Sequence, residues 1–130
     1  MKIQVITVRH ADGTHITFRC AAGTGSALWN GPAVDAGAER QVELDSDDVL
    51  RAGVNVERAT DTTPSLAASD DDVLLTARLD LVNRSEATAR FSFDDGAIEL
   101  ELETSDDRFW TVGAWYAMRL SRLTLFDANL

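Results

Sequence analysis

Two clusters of acidic residues are the first candidates for chemistry in this sequence, because convergent carboxylates are the ligands that calcium ions prefer. The clusters are "DSDD" at 45–48 and "SDDD" at 69–72. An EF-hand loop also needs Gly at its sixth position and Glu at its twelfth. Counted from Asp45, those positions hold Leu50 and Val56. We therefore interpret both clusters as solvated loop acids and predict no metal site in them.

The two histidines are the next candidates for metal binding. His10 and His15 lie on opposite arms of a hairpin predicted around "ADGT" at 11–14, so they could approach each other. A third ligand such as Cys20 would face the other way from His15, because side chains alternate along a strand. We interpret the histidines as surface residues and Cys20, beside Phe18, as an unreactive thiol on the apolar face.

Motifs for nucleophilic or phosphate chemistry are incomplete. The segment "GTGS" at 23–26 matches part of a phosphate-binding loop, but no Lys follows it and no helix is predicted after it. We interpret it as a hairpin turn. No Ser, His and acid combination stands out, and the spacing of the carboxylates does not define a glycosidase pair. We predict a protein that is not an enzyme and that needs no cofactor.

The aromatic residues allow two interpretations, which the sequence leaves open. Tryptophans flank the glycine turns, and Phe109 and Tyr116 lie close by in the chain; the tryptophans are Trp29, Trp110 and Trp115. In the first interpretation they close the ends of a β-barrel, with the indole N–H near water. In the second, Trp110 anchors a partner and is surrounded by Asp106, Asp107 and Arg108, a composition typical of interfaces.

The net charge restricts the classes of partner. The chain holds 22 Asp and Glu against 12 Lys and Arg, which gives a formal charge of −10 and a pI near 4.4. Such a charge repels the phosphates of nucleic acids and the anionic surface of membranes. It attracts basic proteins and accelerates encounter with them. We therefore expect a basic protein partner, no nucleic acid and no membrane, although acidity can also serve solubility alone.

The compartment is inferred from the cysteine count and the first residues. A single cysteine cannot form an internal disulfide, so the sequence gives no indication of an oxidising compartment. Arg9 and His10 interrupt the region in which a signal peptide needs its apolar run. No segment reaches the length of a membrane-spanning helix. We expect a cytoplasmic protein.

The secondary structure that carries these candidate residues is predicted to consist of β-strands. Apolar and polar residues alternate along most of the chain, most regularly at 98–103, where Ile and Leu alternate with Glu. Asp-Gly and Asn-Gly pairs between such segments predict hairpin turns. Helical spacing is nearly absent, and we expect at most one short helix near residues 46–52, with Ser46 as its N-cap. The fold class is therefore all-β.

The sequence also predicts an internal repeat. The segment "GAERQVEL" begins at Gly37, and the similar "GAWYAMRL" begins 76 positions later, at Gly113. Residues 1–50 and 74–127 then form two similar antiparallel β units, joined by an exposed connector at 54–72. Each half is small for an independent core. We therefore expect one compact domain over residues 1–130, built from two packed units.

Each half resembles the OB-fold, a small five-stranded β-barrel. The resemblance lies in the strand order and in the glycine turn that precedes a final strand. It implies binding of an oligonucleotide or oligosaccharide on the face of the second and third strands. In the second half that face carries Glu99, Glu101 and Glu103, whose charge has the wrong sign for a nucleic acid.

Taken together, these features predict a non-enzymatic, acidic protein-binding module. Its most specific form is a bacterial immunity or antitoxin-type protein that neutralises a basic partner, for example a toxin domain. The predicted partner-binding residues are Asp47, Asp48, Glu99, Glu101, Asp106, Asp107 and Trp110. The alternatives are an OB-like domain that binds a small ligand or oligosaccharide, and a structural subunit of a larger assembly.

Overall fold

The computed structural model describes residues 1–70, 72–105 and 108–128, and all regular elements in these residues are β-strands. This confirms the all-β prediction. The strands are β1 Lys2–His10, β2 Thr14–Cys20, β3 Gly23–Asn30, β4 Glu39–Asp45, β5 Val49–Leu50, β6 Val56–Arg58, β7 Ser65–Ser69, β8 Asp72–Asn83, β9 Thr88–Phe93, β10 Gly96–Leu102, β11 Trp115–Leu120 and β12 Thr124–Asp127.

Five strands close a β-barrel. β1, β2 and β3 form an antiparallel meander, and β4 pairs antiparallel with the free edge of β1. The last strand, β12, closes the barrel because it pairs parallel with β3 and antiparallel with β4. Inward-facing residues such as Val5, Phe18 and Leu125 are buried in the core. The alternating pattern of the sequence thus becomes an apolar inside and a polar outside.

The remaining strands form a second group with related pairings. β8, β9 and β10 are an antiparallel meander, and β11 pairs antiparallel with β8. β5 pairs parallel with β10, and β6 pairs antiparallel with β11. Between β5 and β6, the Asn55 side chain accepts from the Arg51 N–H and donates to the Val49 carbonyl. The segment 49–58 therefore runs from β10 to β11.

The two glycine turns that open the similar segments have the same backbone geometry. Gly37 and Gly113 have φ values of 91° and 90°. The Gly37 N–H donates to the Val5 carbonyl over 2.8 Å, and the Gly113 N–H donates to the Leu79 carbonyl over 2.8 Å. The register of each first strand also shifts immediately after these partners, in β1 after Val5 and in β8 after Leu79. A β-bulge therefore accompanies each turn.

The segment 54–72, predicted to be an exposed connector, is only partly exposed. It contains β6 and β7, and β7 pairs with β8 and contacts β3 through Gly23 and Leu66. Val56 and Leu66 are buried in the core. Residues 60–63 do remain exposed. The sequence did not predict β6 and β7, because each strand is short and contributes one main core residue, which is too few to establish an alternating pattern.

The predicted short helix near residues 46–52 is not formed, and a β-strand lies there. Leu50 is buried, and the pairing of Val49 and Leu50 with Glu101 and Leu102 fixes this segment in an extended form. The Ser46 side chain does make the hydrogen bond typical of an N-cap, since its Oγ accepts from the Asp48 N–H over 3.1 Å. The capping pattern was therefore present, but strand pairing decided the conformation of the residues after it.

Candidate functional site

Three of the predicted partner-binding acids lie at one edge of the second strand group. Because β5 runs parallel to β10 with Val49 opposite Glu101, Asp47 and Glu99 lie at the same end of this strand pair. Asp47, Glu99 and Glu101 are all exposed. The register therefore places at one end of the strand pair acids that are about 50 positions apart in sequence.

A fourth acid joins them across a groove between β4 and β10. The groove has a volume of about 300 Å³ and is lined by Glu43, Glu99 and Arg90, with apolar residues at its base. We call Glu43, Asp47, Glu99 and Glu101 the acidic face. Sequence reasoning missed Glu43, because its strand approaches β10 without pairing with it.

Few cations neutralise the acidic face. Within the described residues, none of its four acids forms an ion pair. Arg51 is paired with Glu103 at 3.1 Å, and Arg90 lies opposite Glu99 in the strand register without reaching ion-pair distance. Four carboxylates, the guanidinium of Arg90 and the N-terminal ammonium of Met1, which donates to the Val42 carbonyl over 3.0 Å, leave two net negative charges on this surface. Such a surface attracts cationic groups over several ångströms of solvent.

Asp48 was predicted to bind a partner, but its carboxylate already has partners within the chain. It accepts hydrogen bonds from the backbone N–H and the Oγ of Ser121, over 2.7 and 2.6 Å. It also accepts from the Ser46 Oγ over 3.0 Å. Asp48 therefore connects the segment before β5 to the turn between β11 and β12.

We expect Asp48→Ala to lower the free energy of unfolding by about 2 kcal/mol, because hydrogen bonds to a charged acceptor contribute about that much. The neighbouring Asp47→Ala removes the same charge from an exposed side chain, and its effect should stay within about 0.5 kcal/mol. Urea denaturation of both variants measures the difference. Equal losses would contradict a structural role for Asp48.

Trp110 was also predicted to anchor a partner, and the structure corrects this. Its side chain is only 2% exposed, and its Nε1–H donates to the Thr104 carbonyl over 2.9 Å. Its ring packs against Phe109 and Tyr116, with centroids 4.6 and 5.1 Å away. Trp110 therefore fills the interior, and its indole N–H reaches a backbone carbonyl instead of the water that the first interpretation expected. Asp106 and Asp107 lie outside the described residues.

Tyr116 organises the turn beside Trp110, a role that no sequence signal indicated. Its hydroxyl donates to the Phe109 carbonyl and accepts from the Thr111 N–H over 2.8 Å. The Arg58 guanidinium lies 5.3 Å from the centre of its ring. These contacts fix the turn that leads into β11.

The histidines and the cysteine make local contacts. The His15 Nε2 lies 2.8 Å from the Ala11 carbonyl oxygen, and the His10 Nδ1 lies 3.3 Å from the Thr14 Oγ1. Among the described residues, no three His, Cys, Asp or Glu side chains are grouped as metal ligands would be. Cys20 is half-buried, and burial raises the pKa of its thiol above the ordinary value, which disfavours the nucleophilic thiolate.

Comparison of the chain with protein-family models, with curated proteins and with solved structures gives no match. In the part of the chain that the structure describes, no helix is long and apolar enough to cross a membrane. The functional proposal therefore depends on the geometry of the surface.

Proposed function

We propose that this protein is a non-enzymatic binding module whose acidic face docks a basic protein. The observation that supports the proposal is that Glu43 on β4, Glu99 and Glu101 on β10, and Asp47 just before β5 are exposed and form no ion pair among the described residues. Exposed like charges repel one another and contribute nothing to folding. A cationic partner neutralises these carboxylates, so relief of their mutual repulsion favours the complex.

The rigidity of the face favours docking of a folded partner. β10 is paired over its length with β9 and at its end with β5, so its carboxylates project from a fixed backbone. A preorganised surface loses little conformational entropy on association. In its most specific form, the module is an immunity or antitoxin-type protein that covers the cationic site of a basic toxin domain.

The experiment compares two variants of equal net charge. The face variant carries Glu43→Gln, Asp47→Asn, Glu99→Gln and Glu101→Gln. The control variant neutralises four exposed acids elsewhere, through Asp12→Asn, Asp35→Asn, Glu57→Gln and Glu86→Gln. Partners captured from native extract at low salt are identified by mass spectrometry, purified and then studied by stopped-flow fluorescence.

We expect the face variant to reduce the association rate constant by about tenfold or more, and the control variant to reduce it much less. Association of the unchanged protein should also slow steeply between about 0.02 M and 0.5 M salt, as the Debye length shrinks. Equal effects of the two variants would show that only net charge matters. Rates independent of salt would contradict electrostatic docking altogether.

We further propose that the scaffold is a duplicated five-stranded unit in which the two copies have exchanged their last strands. The matching meanders, glycine turns and bulges support the duplication. The exchange is supported by the closing strands: β12 follows the second meander but pairs with β3 and β4, and the segment 49–58 follows the first meander but pairs with β10 and β11. A meander whose third strand pairs parallel with the last strand also fits the OB-fold resemblance.

A further inference from the structure

A second cleft, separate from the acidic face, lies on the outer side of the closed barrel. It has a volume of about 410 Å³, within the range of sites for small molecules. The outward side chains of β1, β2 and β3 form its floor, and the turn at Ser121–Leu123 together with Asp70 completes its wall. It shares no residue with the acidic face.

The cleft is cationic although the protein is strongly acidic. Arg9 and Arg122 line it, both are exposed, and neither forms an ion pair with any described residue. Elsewhere in the same residues, Lys2, Arg51, Arg78 and Arg119 are each paired with an acid. Asp70 is the single acid among the lining residues. Two guanidiniums are therefore available to an anionic ligand, to which they can donate bidentate hydrogen bonds.

A row of hydroxyl groups crosses the floor and ends beside Arg122, while Arg9 lies in the next row, with His15 and Leu28. Thr7 lies opposite Thr17, which lies opposite Ser26, and the Thr7 and Thr17 Oγ1 atoms are 2.6 Å apart. Because β12 runs parallel to β3 with Thr124 opposite Leu28, Arg122 lies level with Ser26 and extends this row. Arg9 lies on β1, two residues along the strand from Thr7, so the arginines are separated by about three strand spacings, or roughly 14 Å, across the sheet and by two residues along it.

The composition of the cleft selects the class of ligand. Hydroxyl groups that can both donate and accept match the hydroxyls of a sugar, and Leu28 offers an apolar surface to the sugar ring. His15 is the one aromatic side chain that lines the cleft among the described residues, so successive bases of a single-stranded nucleic acid do not find a series of stacking platforms there. The separation of the guanidiniums requires anionic groups at two points of the ligand.

We propose that this cleft binds a sugar carrying two anionic groups, such as a sugar bisphosphate. Arg122 holds one phosphate and Arg9, in the adjacent row, holds the other, while Thr7, Thr17 and Ser26 hydrogen-bond the ring hydroxyls. Asp70 accepts a hydrogen bond from a further hydroxyl at the wall. This inference does not depend on the acidic face, whose variants leave the cleft unchanged.

The test is titration of the full chain by calorimetry and by backbone amide NMR, with glucose 1,6-bisphosphate as the probe. Glucose 6-phosphate, glucose, pyrophosphate and a single-stranded oligonucleotide serve as comparisons. We expect the bisphosphate to bind about tenfold or more tightly than the monophosphate, with shifts in the amides of β1, β2 and β3. Arg9→Gln and Arg122→Gln should each weaken it by about tenfold, and Thr17→Val should weaken it less.

Arg78→Gln is the control, since this exposed arginine of β8 lies outside both the cleft and the acidic face, and it should leave the affinity unchanged. Thermal unfolding of each variant verifies that the fold is retained. Absence of bisphosphate binding at millimolar concentration would overturn the proposal. Equal affinity for pyrophosphate, tighter binding of the oligonucleotide, or unchanged affinity in Arg9→Gln would also overturn it.

Discussion

Divided into separate fragments 1–61 and 62–130, the protein is expected to lose its fold in both parts and to regain it when they are mixed. The first fragment keeps β1 to β4 but lacks β12, which pairs with both β3 and β4. The second keeps β8 to β11 but lacks the segment 49–58, which pairs with β10 and β11. Each fragment therefore has two unsatisfied strand edges and a core open on one side.

The fragments are also too small to stay folded once their closing strands are missing. Chains of about 60 residues bury a smaller share of their surface and are marginally stable even with an intact core. Opening the barrel exposes Leu125 and its neighbours, and a folded domain has only about 5 to 15 kcal/mol of stability in total. Mixing restores every strand pair, so association should yield one folded heterodimer.

Circular dichroism, amide NMR and native mass spectrometry measure the outcome. The control is the intact protein with a protease site inserted between residues 61 and 62, where the chain is exposed. Cleavage of the folded protein should leave its spectrum unchanged, because no strand is cut there. Fragment 1–61 unfolding cooperatively by itself would show that the closing strands are dispensable, and it would refute the proposed exchange.

We expect Gly23→Ala to lower the free energy of unfolding by roughly 4 kcal/mol or more, the range reserved for severe steric conflict. Gly23 has a φ of 143°, which side-chain-bearing residues rarely adopt. A Cβ built there would lie 2.0 Å from the Leu66 carbonyl oxygen. Because that atom belongs to the backbone of β7, the conflict can be relieved only by separating β7 from the closed barrel.

Gly13→Ala is the matched control for this prediction. Gly13 also has a positive φ, of 105°, but a Cβ there would meet no atom within 4 Å. It should therefore show only the backbone strain, about 1 kcal/mol. Denaturant unfolding of both variants separates strain from collision. Similar losses would mean that the contact between Gly23 and Leu66 does not hold β7 in place.

Local structure was largely predictable from the sequence. A period of two reports which side of a strand is buried, and this signal depends only on neighbouring residues. It identified the β10 segment at 98–103, where every second side chain is apolar. Turn residues act through their own backbone preferences, so Asp12-Gly13 marked the first hairpin and Gly37 and Gly113 marked equivalent turns.

The functional surfaces were less predictable, because their residues meet only through strand pairing. Asp47 and Asp48 look alike in the sequence, yet one is exposed and the other accepts hydrogen bonds from Ser121, 73 positions away. The residues next to Trp110 in the sequence have a composition typical of interfaces, but the Trp110 side chain lies in the core. Whether a large side chain is buried depends on which distant residues pack over it, and the local sequence pattern does not contain that information.

The all-β class, the hairpins, the glycine turns and the apolar side of each strongly alternating strand could be read from the order of the residues. Which strands pair across the chain, and hence that β12 closes a barrel begun by β1, became apparent in the folded chain. The fold alone brought Arg122 level with Ser26, and Glu43 near Glu99. The physical reason is that alternation and turn chemistry act between adjacent residues, whereas a backbone hydrogen bond between distant strands has the same form whichever strands supply it.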